Sequence, residues 1–201
     1  MSATEIVICR TGTANLASVF AGLTRAGGAP RMARDADDVA SAGHVMLPGV
    51  GAFGASMEPL RTGGFDAALT ARIAAGKPTL AICVGLQLLC RDSEETPGAK
   101  GLGVLPLTVR RFAEKVRVPQ LGWNRIDADA ACRLLASGYV YFANSYRVTE
   151  APEGWLAARA DHGGPFIAGL ERGNVLACQF HPELSGPFGH DLLNRWIATP
   201  C

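Results

Sequence analysis

Charge of a dominant sign is missing from this sequence. Its 201 residues carry 19 Lys and Arg against 18 Asp and Glu, a formal net charge of +1. No basic stripe runs along the chain to track a phosphate backbone, so nucleic acid is not an expected partner. The stretch MSATEIVICRTG lacks the basic segment of a signal peptide, and its apolar run is only a few residues long, so neither a signal peptide nor a membrane span is expected there. The six cysteines (Cys9, Cys83, Cys90, Cys132, Cys178, Cys201) form no C-x-x-C pair. A chain of this length can bury a core without covalent staples, so reduced thiols in a cytoplasmic protein are the expectation. His44, His162, His181 and His190 never fall at ligand spacing with a cysteine, and no metal site or cofactor is expected. There is no internal repeat, no low-complexity tract and no linker that would divide the chain, so residues 1–201 are taken as one domain.

What is present is a hydrophobic content of 48% arranged in two patterns. Through the first half, short apolar runs alternate with helical periodicity, the signature of β-α-β units and a parallel sheet. EIVIC is the first strand. Leu16, Val19, Phe20, Leu23 and Ala26 then recur at helical spacing, and Gly27-Gly28 ends the helix. HVMLPG reads as a second strand, followed by a helical stretch through Met57, Leu60, Leu69 and Ile73. PTLAI is the third strand, and LQLLC starts the next helix. From about Val116 the pattern becomes hairpin-like, with YVYFANSYRV and with PFIAGLERGNVLACQF turning at Glu171 to Asn174. HDLLNRWI closes the chain as a helix. The expected fold is α/β, a central mostly parallel sheet flanked by helices with an antiparallel β-rich C-terminal half. SEETPGAKGLG and TEAPEG are the expected mobile surface loops.

Three stretches carry chemistry. A cysteine in an apolar run is ordinarily an inert small hydrophobe, but Cys83 stands where PTLAI ends, with Gly85 able to take the backbone through a sharp turn into a helix. Such a strand-turn-helix elbow lifts a side chain out at the carboxyl edge of a sheet. The unpaired N–H groups of the helix start suit an anionic sulfur there. In QFHPE, His181 and Glu183 are one residue apart, so on an extended segment both point to one face. A carboxylate can then hold one imidazole nitrogen and leave the other for a thiol. In LPGVGAF, Gly49 and Gly51 flank Val50 after a buried strand, and backbone N–H groups of such a loop can approach an oxyanion. One such donor is worth about 3 kcal/mol to a transition state. GVGAFG is no phosphate loop, because the Lys-Ser/Thr pair is absent.

On these residues the sequence resembles the class I, triad-type glutamine amidotransferases: AICVGLQLL matches G-x-C-x-G-x-Q, and QFHPE matches H-P-E. GTANLASV, LPGVGAF, QLGWNRI and YFANSYRV extend the resemblance over nearly the full length and narrow it to glutaminase subunits of imidazole glycerol phosphate synthase. The resemblance implies a catalytic Cys83–His181–Glu183 triad and a glutamine site made by Gly49, Val50, Gly51, Gln87, Ser145 and Tyr146. It also implies a heterodimer with a (β/α)8 barrel cyclase of histidine biosynthesis, with Asn15 and Trp123 near the interface. Asn15 as a helix cap and Trp123 as a half-buried anchor are the plainer readings. The sequence departs from the family pattern at Arg10, at Ala81 for the first motif glycine, at Asn144 for a frequent histidine, and at Leu184 where a basic residue commonly follows H-P-E. The alternatives are a glutaminase subunit of anthranilate or pyridoxal phosphate synthase, and a non-catalytic interaction protein on the same fold. PGVG together with GWN speaks against the anthranilate type.

Overall fold

The computed structural model describes residues 3–12 and 16–200. The first half runs β1 (Thr4–Ile8), α1 (Leu16–Arg25), β2 (Gly28–Met32), α2 (Ala36–Ser41), β3 (His44–Leu47), α3 (Phe53–Thr62), α4 (Phe65–Ala74), β4 (Thr79–Ile82) and α5 (Val84–Leu88). There follow β5 (Cys90–Ser93), β6 (Leu105–Arg111), β7 (Gln120–Ala128), β8 (Gly138–Asn144), β9 (Tyr146–Arg147), β10 (Leu156–Asp161), β11 (Pro165–Arg172), β12 (Val175–Cys178), a 3-10 turn (Pro182–Leu184) and α6 (Gly186–Ile197).

The expected parallel and antiparallel halves form one continuous nine-stranded sheet in the order β2-β1-β3-β4-β12-β11-β10-β7-β8. From β2 to β12 every pairing is parallel, and from β12 onward every pairing is antiparallel. β3, β4 and β12 are buried along their whole length, which is why they read as unbroken apolar runs. The chain leaves β1 toward β2 and then returns across it to β3. With right-handed crossovers that reversal puts α1 on one face of the sheet and α2 to α4 on the other. It also opens a crevice at the carboxyl ends of the central strands, the usual place for a ligand in such sheets.

Several local readings differ from the structure. GAPRM forms β2, although Gly28 and Pro30 are poor strand residues; it is an edge strand paired only to β1, where a missing N–H is tolerated. The helical stretch through Met57 and Ile73 is two helices, broken where Gly64 takes a left-handed φ of 68°. The helix after Cys83 is only five residues long, and Cys90 begins β5 instead of a further turn. The reason is tertiary: the Leu88, Leu89 and Cys90 carbonyls accept the N–H groups of Leu102, Leu105 and Gly103. Helical propensity loses to that pairing. Cys90 stays a buried filler, as does Cys9; burial pushes both thiols up to about 12.

SEETPGAKGLG, expected as a free surface loop, is tied down. Glu95 Oε2 accepts the Phe53 N–H at 2.7 Å and Thr96 Oγ1 accepts the Gly54 N–H at 3.2 Å, so the loop caps α3 from outside. Among the described residues no helix is long and apolar enough to cross a membrane. The five described cysteines are all free thiols.

Candidate active site

β4 ends at Ile82, and Cys83 then adopts φ 54° and ψ −110°. It is the one non-glycine residue with positive φ among the described residues. Such a conformation is strained by roughly 1–3 kcal/mol and persists only where neighbours impose it. Here the Cys83 N–H donates to the Cys178 carbonyl on β12 at 2.7 Å, while the Cys83 carbonyl accepts the Gln87 N–H at 3.3 Å. The parallel register pairs Ile82 with Cys178, so the elbow follows directly from the last rung of the ladder.

The loop after β3 locks onto this elbow. A Cβ at Gly49 would lie 2.2 Å from the Gly85 nitrogen and 2.7 Å from the Ile82 oxygen, and one at Gly85 would lie 2.3 Å from the Leu47 oxygen. Only two glycines let the two backbones come this close. Gly51 follows at φ 115°, a conformation open to glycine alone in practice.

QFHPE reaches the same place from the other side. The His181 N–H donates to the Tyr141 carbonyl at 2.9 Å. The Ser185 hydroxyl donates to the His181 carbonyl at 2.7 Å and accepts the Tyr141 N–H at 3.0 Å. The segment beyond His181 is not extended as the spacing suggested. Pro182 starts a 3-10 turn, and that turn brings the Glu183 carboxylate back to the ring, with Oε1 at 2.8 Å from Nδ1. The carboxylate can only accept, so Nδ1 carries the proton and the other ring nitrogen is free for Cys83. Burial works against the charged imidazole, but hydrogen bonding to Cys83 and Glu183, together with their charges, outweighs it and pushes His181 up to about 10. The ring sits between a sulfur and a carboxylate, both of which favour its charged form.

Cys83, His181 and Glu183 line one cavity of about 310 Å³ together with Gly49, Val50, Gly51, Gln87, Ser145 and Tyr146. The structure thus gathers all nine of these residues at one place. Trp123 is elsewhere, 57% exposed on β7 and edge-on to Tyr141 at 6.1 Å. Asn15 lies outside the described residues.

Glu95 and Gln179 are among the residues of the site not singled out from the sequence. Glu95 lines the cavity, carried there by its hydrogen bond to the start of α3; nothing local marks it. Gln179 is fully buried with its amide nitrogen 3.7 Å from Cys83 Sγ. Its place two residues before His181 in the same motif was the available signal.

The chain is similar to known proteins along most of its length. The family model for glutamine amidotransferase class-I matches residues 30–199. Imidazole glycerol phosphate synthase subunit HisH of Deinococcus radiodurans is 41% identical over 198 residues, which cover 96% of this chain and 92% of that protein. The chloroplastic imidazole glycerol phosphate synthase hisHF of Arabidopsis thaliana is 38% identical over 92% of this chain, which spans 33% of its length. A crystal structure of a glutamine amidotransferase superposes with a TM-score of 0.75 at 22% identity, covering 95% of this chain and 96% of the other. With a family model matched over most of its length and relatives of this identity along nearly all of it, the chain belongs to the class-I glutamine amidotransferase family, in its imidazole glycerol phosphate synthase HisH branch.

Proposed function

We propose that this protein is the glutaminase subunit of an imidazole glycerol phosphate synthase, hydrolysing glutamine and passing ammonia to a cyclase partner in histidine biosynthesis. The observation that carries the reading is the strained Cys83 elbow facing a His181–Glu183 pair within one glutamine-sized cavity. Cys83 sulfur attacks the glutamine carboxamide carbon. Charge builds on the former carbonyl oxygen, and N–H groups of the Gly49–Gly51 loop and of Val84 hold it. His181 takes the Cys83 thiol proton on its free ring nitrogen and gives it to the departing nitrogen, and ammonia leaves a γ-glutamyl thioester. The now neutral ring takes a proton from water as that water attacks the thioester, then returns it to the sulfur as glutamate leaves. Glu183 keeps the ring in the right tautomer throughout. Gln87, Ser145 and Tyr146 line the side of the cavity where the rest of the substrate sits, and the Glu95 carboxylate suits its α-ammonium group.

Ammonia released into water is protonated and diluted, so the site is useful only when covered. An apolar face adjoins it: Leu121 and Trp123 on β7 and Tyr139 on β8 are each more than half exposed, and Leu184 and Val50 are exposed at the cavity wall. Across the hairpin Trp123 pairs with Tyr141 and Leu121 with Ala143, which itself lines the cavity, so the face is continuous with the site. We assign this face to the (β/α)8 cyclase. With Leu184 in place of a basic residue, docking near the triad rests on apolar contact. The free thiols fit a cytoplasmic enzyme.

The test is Cys83→Ala in the complex with the cyclase. Glutamine-dependent product formation drops to background, while ammonia-dependent formation by the cyclase continues; glutamine use at the wild-type rate would overturn the reading.

A further inference from the structure

Gln179 has no solvent exposure, and a buried carboxamide needs partners at both ends. Those partners fix its orientation. The Tyr146 carbonyl can only accept, so the Gln87 atom 3.4 Å from it is Nε2. The same nitrogen can only donate and lies 3.0 Å from Gln179, which must therefore present Oε1 to it. The other end of the Gln179 amide is Nε2, aimed at Cys83 Sγ 3.7 Å away. The anchor of this relay is firm, because the Tyr146 carbonyl also accepts from Asn144 Nδ2 at 2.9 Å. The backbone on both sides is pinned as well: Cys83 N–H donates to Cys178, and Gln179 N–H donates to the Ala168 carbonyl at 2.8 Å.

We propose that Gln179 is a positioning residue for the nucleophile, its amide N–H holding the Cys83 sulfur in place and stabilising it as an anion. The proposal rests on the reading of Cys83 as the nucleophile. Sulfur must carry negative charge twice in the cycle, when it attacks the carboxamide and when it leaves the thioester. His181 serves that charge but must also give its proton away. A neutral amide does not part with its proton, so Gln179 supports the anion without quenching it. The relay also joins the sulfur to Gln87, a residue lining the substrate cavity, so movement of Gln87 on binding glutamine reaches the nucleophile through one side chain.

The experiment compares wild type, Gln179→Met and Gln179→Glu in the complex with the cyclase. Met keeps length and volume without a donor. Glu keeps an acceptor toward Gln87 and sets a carboxylate oxygen against the sulfur. Two quantities are read: glutamine turnover, and the rate of Cys83 alkylation by iodoacetamide against pH, mapped by mass spectrometry. Loss of one hydrogen bond to a charged group predicts kcat for glutamine lower by about ten- to a hundredfold in Gln179→Met and lower still in Gln179→Glu. Alkylation of Gln179→Met near pH 6 is about tenfold slower than wild type and converges with it in alkali, a change that mere loosening of the fold does not produce. Co-elution with the cyclase in size-exclusion chromatography reports that the variants fold and dock. If Gln179→Met does not assemble, the isosteric Gln179→Glu carries the same comparison. Alkylation profiles superimposed on wild type would overturn the role of Gln179. Glutamine turnover that survives complete alkylation of Cys83 in the wild type would instead overturn the nucleophile assignment.

Discussion

Replacing Gly49 by alanine puts one methyl group where the structure has no space. The new carbon would sit 2.2 Å from the Gly85 nitrogen, 2.7 Å from the Ile82 oxygen and 2.7 Å from the Val84 carbonyl carbon. All three are backbone atoms of the elbow, so no rotamer change relieves the contact. Moving from 2.2 Å to the 3.4 Å of ordinary contact requires the loop after β3 to back away by about 1.2 Å. Overpacking of this kind costs roughly 1–3 kcal/mol of stability, and a displacement of about 1 Å at a reacting centre costs on the order of a hundredfold in rate. If the loop supplies oxyanion donors, kcat for glutamine in the complex falls about 10²- to 10³-fold. KM changes by less, because the ground-state carbonyl makes weaker use of those donors. The assay is steady-state glutamine hydrolysis in the cyclase complex, with co-elution of the two subunits in size-exclusion chromatography as the control for assembly. A Gly49→Ala variant that assembles and keeps a wild-type kcat would refute the placement of the oxyanion loop.

Three further outcomes follow from the same geometry. Glu183→Gln removes a hydrogen bond and a charge that raise His181, so the ring drops from about 10 toward its ordinary value. Because the folded ring holds its proton more tightly than the unfolded one, its stabilising contribution is complete below about pH 6.5 and is lost as pH rises toward 10. Thermal melts between pH 7 and 10 therefore show a larger fall for wild type than for Glu183→Gln, by at least about 3 °C, and parallel falls would contradict the assigned cause. Gly22→Ala, on the face of α1 toward the triad, sets a methyl 2.8 Å from Glu183 Cβ and 3.2 Å from its Cα. The carboxylate is pushed off the ring, so kcat falls about tenfold at little changed KM, measured in the complex. Trp123→Ala removes an exposed aromatic anchor from the docking face and weakens cyclase binding by about 2 kcal/mol, read by calorimetric titration. The melting temperature of the isolated chain stays within the small range typical of surface changes.

The parallel core was legible in the sequence because fully buried strands are continuous apolar runs, as in HVML and TLAI, and because turn residues bound them. The meeting of Cys83, His181 and Glu183 at one cavity was legible because its two halves are local patterns, Cys83 before Gly85 and His181 before Glu183. Elements whose existence depends on a distant partner escaped. GAPRM is a strand only because β1 offers an edge, and the helix after Cys83 is cut short only because residues 102–105 bind its last carbonyls. The same holds for the site. Glu95 sits in what reads as a free loop and enters the cavity by capping a helix 42 residues earlier. His181 and Glu183 share a face through a 3-10 turn, although alternation along an extended chain predicts the same partnership by a different geometry.

The rung that pairs Ile82 with Cys178 has a consequence for how such a protein changes over evolutionary time. The two halves of the site lie 96 residues apart along the chain at Cys83 and Gln179, yet their spacing is set by adjacent parallel strands and not by the intervening chain. Insertions, deletions and new surface chemistry in β7 and β8 leave that spacing untouched. The hairpin can therefore be retailored to a different synthase while the ammonia-generating centre is inherited whole.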